Sequence, residues 1–324
     1  MRIGIVMPAW NVAPWIGDAI ASVLTQSHRD WTMVVVDDGS TDATAAIVAG
    51  CPDARIRLIR QANAGVSAAR NRGMVELDAD VLLFLDADDW LAADALGRLD
   101  NALQAAPQAV AAAGPYTLVY TSGIRTRTRR PPSGDILEQL MIRNRFANGG
   151  HLLLRRPAVD AAGGFPADVA YGEDWEYWIR IALQGPFAAV QGNAPLLFVR
   201  QRQGGAYHRL ASDPAAFTPC MEAIFTNPAL LARFGPARLA TIRHRAEAEN
   251  AWIIGRELIR HDRAGEGRAW LRQSVASCPS PKRAMLLAAA HALLLLPSTL
   301  RGPFRPYRLT CPDLTSVRHP MLDC

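Results

Sequence analysis

The sequence predicts an α/β fold, in which a mostly parallel sheet is flanked by helices and followed by a C-terminal α-helical extension. Three observations carry this. Short apolar runs at 3–8, 31–36, 56–59 and 81–85 alternate with segments whose apolar residues recur at helical spacing. Acidic residues gather where two of these runs stop, at Asp37-Asp38 and at Asp86-Ala87-Asp88-Asp89. Past about Ser212 the pattern is helical throughout. A chain of 324 residues, half of them apolar, is long enough for a full core plus an appendage. The expected division is a sheet domain over 1–212 and a helical extension over 213–324 that ends in a Pro-rich tail.

Residues 3–8 read as a buried first strand, and Pro8 and Asn11 mark the loop that leaves it. Pro14 suits the first turn of a helix, where its missing N–H is harmless. Ile16, Ala19, Ile20, Val23 and Leu24 supply that helix with an apolar face. The second strand, 31–36, runs into Asp37-Asp38-Gly39-Ser40-Thr41-Asp42, where Ser40 or Asp42 caps a helix reaching about Gly50. The third strand is 56–59. Residues 63–73 open the next helix, and 81–85 form the fourth strand. A helix is expected over 92–105. Residues 116–120 and the arginine cluster 125–130 read as a hairpin turning at Ser122-Gly123. A short helix over 136–143 and a strand over 151–154 follow. After the break Gly163-Gly164-Phe165-Pro166, a helix begins at Gly172-Glu173-Asp174-Trp175 and ends near Leu183. Residues 196–199 are the expected last strand of the sheet domain. Residues 251–276 read as one helical hairpin turning at 264–267, too little for a repeat array.

Composition narrows the function. The net charge of +5 is carried almost wholly by arginine, Lys282 being the only lysine. This balance suits an anionic substrate or a membrane surface. Only 125–130 is densely basic, and no helix-turn-helix, zinc-finger or aromatic RNA-binding pattern accompanies it, so nucleic acid is not an expected partner. Cys51, Cys220, Cys278, Cys311 and Cys324 are scattered without a CxxC pair, which argues against both a zinc site and a disulfide framework. No charged n-region and apolar h-region opens the sequence, and the apolar run 285–296 falls short of the roughly 20 residues a spanning helix needs. A cytoplasmic protein is the expectation. A dinucleotide oxidoreductase would carry GxGxxG after the first strand, and it is absent.

Strands alternating with helices at this spacing imply right-handed βαβ units on a parallel sheet. Such sheets bind ligands outside the carboxyl ends of their strands. Asp37, Asp38, Asp86, Asp88 and Asp89 all fall at such ends. Two carboxylates at i and i+2 on a stiff strand end can share one divalent cation. The alternative for Asp86–Asp89 is an acidic turn with a helix N-cap, Asp89 starting the next helix.

Five signals in order are the opening strand with Pro8 and Asn11, Val35-Val36-Asp37-Asp38-Gly39-Ser40, the 63–73 segment, Leu85-Asp86-Ala87-Asp88-Asp89, and Gly172-Glu173-Asp174-Trp175. Together they make roughly the first two hundred residues resemble a family 2 glycosyltransferase of the GT-A fold. The resemblance implies transfer of a sugar from a nucleotide-diphospho-sugar to an acceptor hydroxyl, with inversion, in cell-surface glycan synthesis. It implies Mn2+ or Mg2+ on Asp88, with Asp86 supporting the metal directly or through the sugar and ribose. It places Pro8 and Asp38 on the nucleoside, Arg70 either over the diphosphate or in a surface salt bridge, and Asp174 as the catalytic base. The family often has a histidine after the last strand. Here Gln203 stands in that position, leaving His208 or water to complete the metal shell, with Arg200 and Arg202 near the diphosphate. Trp175, Tyr177 and Trp178 divide between core and sugar platform. The acceptor is a glycan or a lipid-linked sugar. The run 285–296, flanked by Arg283, Arg301 and Arg305, is either a core helix or a peripheral contact at the inner face of the plasma membrane. The competing readings are a non-catalytic nucleotide-sugar-binding or scaffold protein, and a nucleotidyltransferase. The latter is disfavoured because residues 7–11 lack glycine and lysine.

Overall fold

The computed structural model describes residues 1–120, 123, 128–201, 213–261 and 263–295. Its centre is a seven-stranded sheet. The strands are β1 (Ile3–Ala9), β2 (Trp31–Asp37), β3 (Ile56–Arg60), β4 (Val81–Phe84), β6 (Ala111–Ala113), β8 (Leu152–Arg155) and β9 (Phe187–Ala189), in the order β3-β2-β1-β4-β8-β6-β9. Strands β3, β2, β1 and β4 run parallel. Strand β8 is antiparallel to both neighbours, and β9 pairs with β6 in parallel. A second sheet has the order β5-β10-β7, from β5 (Trp90–Leu91), β7 (Tyr116–Tyr120) and β10 (Leu197–Gln201). The run expected at 196–199 as the last strand of the main sheet thus belongs to this smaller sheet. It pairs antiparallel with β5 and parallel with β7.

Continuous apolar strands reflect burial of both sheet faces. Ile3, Ile5 and Met7 of β1 face α1 (Ala13–Leu24) and α4 (Ala95–Gln104), packing with Ile16, Ile20, Leu96 and Leu99. Val6, Val36, Leu82 and Phe84 face the other way. That layer holds α3 (Val66–Val75), α5 (Leu137–Ile142), α6 (Arg156–Ala162) and α7 (Glu173–Gln184). Helix α3 lies very close to the sheet, since a Cβ on Gly73 would come within 2.4 Å of Val6 Cγ1. The short α2 (Thr44–Ala49) follows β2. Its N-cap is Ala43 and not Ser40 or Asp42 as expected; Asp42, one residue earlier, accepts from the Thr44 N–H at 2.9 Å. Trp175, Tyr177 and Trp178 are all buried, packing with Phe84 and Phe165 as core.

The helical part comprises α8 (Thr218–Phe225), α9 (Pro228–Arg260), α10 (Ala264–Ser277) and α11 (Pro281–Leu295). Helix α9 breaks at Gly235, where φ is 71°, just before Pro236. Cys220, Ile224, Leu230, Ile242 and Ala246 pack in the same core as Phe84 and Trp178. Helices α9 and α10 form a hairpin, but it turns before Ala264 and not at 264–267, which is the first turn of α10. The two helices cross at Gly255 and Gly267, where an added Cβ would meet the opposite backbone at 2.8 and 2.6 Å. Of the arginine hairpin, Tyr116 bridges Arg129; Ser122 and 125–127 lie outside the described residues.

Candidate active site

The carboxyl ends of β1, β2 and β4 open on one edge of the sheet, as parallel strands require. Pro8 is not in the exit loop as expected. Strand β1 continues to Ala9, so Pro8 is buried in the ladder opposite Val36. The exit loop carries Asn11 in the left-handed region, φ 50°. Its side-chain oxygen accepts from the Thr41 N–H at 2.9 Å, while its own N–H donates to Ser40 Oγ at 2.9 Å. The loops after β1 and β2 are thereby tied together. Trp10 sits at this mouth, 56% exposed, a feature the sequence reading passed over.

Asp37 and Asp38 are both buried. Asp37 accepts from Ser40 N–H and from Arg60 Nε, each at 3.1 Å. Asp38 accepts three hydrogen bonds from the loop ahead of α3: Gln61 Nε2 at 2.7 Å and Ala64 N–H at 2.9 Å on Oδ1, and Gly65 N–H at 2.8 Å on Oδ2. Its carboxylate therefore shapes that loop.

Arg70 is neither exposed nor in a surface bridge, the side chain being only 5% accessible. Helix α3 delivers it between two acidic segments, where Nη2 pairs with Asp86 at 3.0 Å and Nη1 with Glu173 at 2.9 Å. Its plane lies 5.1 Å from the Phe165 ring, and its Nε has no hydrogen-bond partner. Glu173 and Asp174 form the first turn of α7, where acidic residues complement the helix dipole. Gly172, at φ 82°, turns the chain into that helix, and Trp175 Nε1 pins it by donating to Leu140 C=O. Burial, the neighbouring Glu173 charge and the more distant Asp86 raise Asp174 to about 7, against the lowering effect of Arg70. A carboxyl raised toward neutrality in this way lies in the range suited to a general base.

Asp86 and Asp88 are half-buried in the turn after β4, which the Asp89 N–H closes onto Asp86 C=O at 3.1 Å. Asp89 is not the start of a helix. It is 2% exposed and accepts from Asn148 Nδ2 and from the Arg200 N–H. Burial and the adjacent Asp88 and Asp86 charges push its carboxyl well up. Trp90 and Leu91 continue as strand β5, and helix α4 begins only at Ala95. Arg200 is committed to protein contacts, with Nε on Asp88 C=O at 2.9 Å and Nη2 on Asp18 at 2.8 Å.

The structure thus brings Arg70, Asp86, Glu173 and Asp174 into one charged cluster, with Asp88 and Asp89 on the same turn. Asn148, which joins them, was missed because nothing local marks it. Gln203 and His208 lie outside the described residues. Among the described residues, no group of three or more His, Cys, Asp or Glu side chains is arranged to hold a metal ion.

Comparison with known proteins agrees with this geometry. The family model described as Glycosyl transferase family 2 matches residues 4–162. Glycosyltransferase GlyA of Streptococcus pneumoniae is 39% identical over 95 residues, which is 29% of this chain and 14% of GlyA. Putative teichuronic acid biosynthesis glycosyltransferase TuaG of Bacillus subtilis is 36% identical over 99 residues, 30% of this chain and 39% of TuaG. The matches therefore span well under half of these relatives. Among solved structures, S. aureus TarS 1-349 superposes with a TM-score of 0.61 at 13% identity, covering 90% of this chain and 91% of that one. The mannosyltransferase PcManGT of Pyrobaculum calidifontis, in complex with GDP-Man and Mn2+, gives 0.56 at 21% identity, covering 94% and 83%. At these identities the superpositions speak for the fold, which is that of the GT-A glycosyltransferases. The family match runs from the first strand through the acidic turn, so residues 4–162 form a domain of the kind described as glycosyl transferase family 2.

Proposed function

We propose that this chain transfers a sugar from a nucleotide-diphospho-sugar to an acceptor hydroxyl, with inversion at the anomeric carbon. The observation that carries this is the cluster at the sheet's carboxyl edge. There Arg70 joins the donor-side Asp86 to the Glu173-Asp174 turn, and burial raises the Asp174 carboxyl toward neutrality. In the proposed reaction Asp174 takes the acceptor proton as the acceptor oxygen attacks the anomeric carbon. The bond to the diphosphate breaks on the opposite face. Direct displacement of this kind needs one base and one stabilised leaving group, and a positioned base contributes about 10²–10⁴-fold.

The donor class is supported by what the structural neighbours hold: UDP and UDP-GlcNAc in TarS, GDP-Man with Mn2+ in PcManGT. Asp38 and the β1 exit beside Pro8 are proposed to seat the nucleoside. The half-buried Asp86 and Asp88, two carboxylates at i and i+2 on one turn, offer oxygen donors only and so fit a divalent cation whose other ligands come from the donor and water. Asp88 would hold it, with Asp86 beside it and His208 as a further ligand. Bound there, Mn2+ or Mg2+ neutralises charge developing on the nucleoside diphosphate. Residues 1–212 are assigned to the transferase unit and 213–324 to a C-terminal extension. The acceptor is proposed to be a cell-surface glycan or its lipid-linked precursor, in line with the printed role of TuaG. No helix of the described residues is long and apolar enough to cross a membrane. Helix α11 does expose Met285 at 70%, close to the exposed Lys282, and this suits peripheral contact with an anionic bilayer, although Arg283 is spent on an ion pair with Glu249. Unchanged flotation of Met285→Asp with anionic liposomes would remove that contact.

Screening the purified chain with Mn2+ against a panel of nucleotide sugars tests the main reading. A donor should raise the melting temperature by mass action and be slowly hydrolysed. Absence of both effects for every donor would refute the proposal, and stabilisation without turnover would leave a binding protein.

A further inference from the structure

Within the acidic turn, Asp89 is buried where Asp86 and Asp88 are half-buried. Its two oxygens are used by elements far away in the chain. Asn148 Nδ2 donates to Oδ2 at 2.5 Å, and the Arg200 N–H donates to Oδ1 at 2.8 Å. The other edge of the Asn148 amide accepts from the Gly150 N–H at 2.8 Å, which sets its orientation. Arg200 then grips the turn a second time, its Nε donating to Asp88 C=O at 2.9 Å. The guanidinium lies 4.8 Å from the Trp90 ring, which stacks on Phe198 at 5.3 Å. The far side of the clasp is seated just as firmly, because a Cβ on Gly149 would fall 2.6 Å from Phe84 Cβ.

A buried carboxylate is costly, and an apolar residue fills space at least as well. What the carboxylate adds is two acceptors aimed at two fixed donors on separate segments. We propose that Asp89 is a positioning residue. Clasped by Asn148 and by the Arg200 main chain, it sets the course of the backbone through Asp86 and Asp88, and so the geometry in which the donor is bound. Arg200 is the other half of the device. Its main chain holds Asp89 and its side chain holds the preceding carbonyl, so two consecutive residues of the turn are registered against β10. The proposal rests on the donor-site reading above.

The clasp has a direction that substitution can reverse. In Asp89→Asn the new amide presents N–H either to the Asn148 N–H or to the Arg200 N–H, and one donor loses its acceptor. In the double variant Asp89→Asn with Asn148→Asp the hydrogen bond is restored with donor and acceptor exchanged, and Gly150 keeps its acceptor. The measurement is titration of UDP and of GDP, each with Mn2+, well below the melting temperature, with thermal melts alongside. Asp89→Asn is expected to weaken nucleotide binding about 10- to 100-fold, the usual range for one buried bond to a charged group. It should also raise the Mn2+ concentration required. The double variant should return to within about threefold of wild type, well inside the roughly tenfold or more that loss of the bond costs. A folded Asp89→Asn protein with wild-type affinity would overturn the proposal, because a purely structural role moves the melt and not the affinity. A folded double variant that stays weak would overturn it too. If the double variant does not fold, Asn148→Ser in the full chain decides, weakened binding supporting the clasp and unchanged binding refuting it. Wild-type protein that binds neither nucleotide would instead overturn the donor-site reading.

Discussion

Replacing Arg70 by methionine keeps most of its length and removes its charge. In the folded protein the side chain is 5% exposed, paired with Asp86 at 3.0 Å and Glu173 at 2.9 Å. Removing one partner of a buried ion pair typically costs about 3–5 kcal/mol, because the remaining charges lose their compensation. Here two carboxylates are left, with Asp174 as a third charge nearby, so the upper half of that range is expected. The pH dependence should move as well. Arg70 is the cation that lowers Asp174, which already stands at about 7, so its removal shifts Asp174 further up. If the shift is about one pH unit, the ionised fraction at pH 7 falls roughly fivefold, and transfer falls with it. Urea unfolding measures the first effect, and a pH–rate profile from pH 6 to 9 the second. A loss under about 1 kcal/mol, below the range for buried pairs, together with an unmoved acid limb, would refute the argument.

Three further outcomes follow. Asp174→Asn should abolish transfer while nucleotide and Mn2+ binding persist, and in wild type the rate should fall as pH drops through about 7, since the base must be ionised; near-normal turnover of the variant would remove Asp174 from the mechanism. Asp88→Ala should weaken Mn2+-dependent nucleotide binding at least about tenfold, read by calorimetry, and an unchanged titration would count against its metal role. His151 is fully buried as a neutral ring, one nitrogen donating to Gly114 C=O at 2.7 Å and the other accepting from the Ala147 N–H at 3.2 Å, and burial lowers it to about 4. Its folded value lies below its unfolded one, so its stabilisation is present above about pH 6.5 and lost as pH falls toward 4; that loss amounts to about 3 kcal/mol and should be missing from the pH dependence of His151→Gln in urea unfolding.

The strands of the parallel half were legible because burial on both faces leaves an unbroken apolar run, and the acidic residues were legible because they interrupt those runs at the carboxyl ends. Strand β5 was not, since two residues carry no periodicity; its existence depends on pairing with β10, more than a hundred positions later. Asp89 has the local signature of a helix cap and was read as one. Its actual partners, Asn148 and Arg200, are 59 and 111 residues away. The aromatic run of α7 carried two readings until packing decided for the core.

By itself, then, the sequence determined the layered α/β architecture, the edge of the sheet on which the carboxylates gather, and the identity of the acidic motifs. These are properties of local period and of where a strand must end. The tertiary structure alone decided what each charge does. Arg70 became a buried strut rather than a surface ion, Asp38 a carboxylate mostly spent on its own loop, and Asp89 the centre of a clasp. Hydrogen bonds and desolvation set those roles, and both depend on groups that only the fold brings within 3 Å.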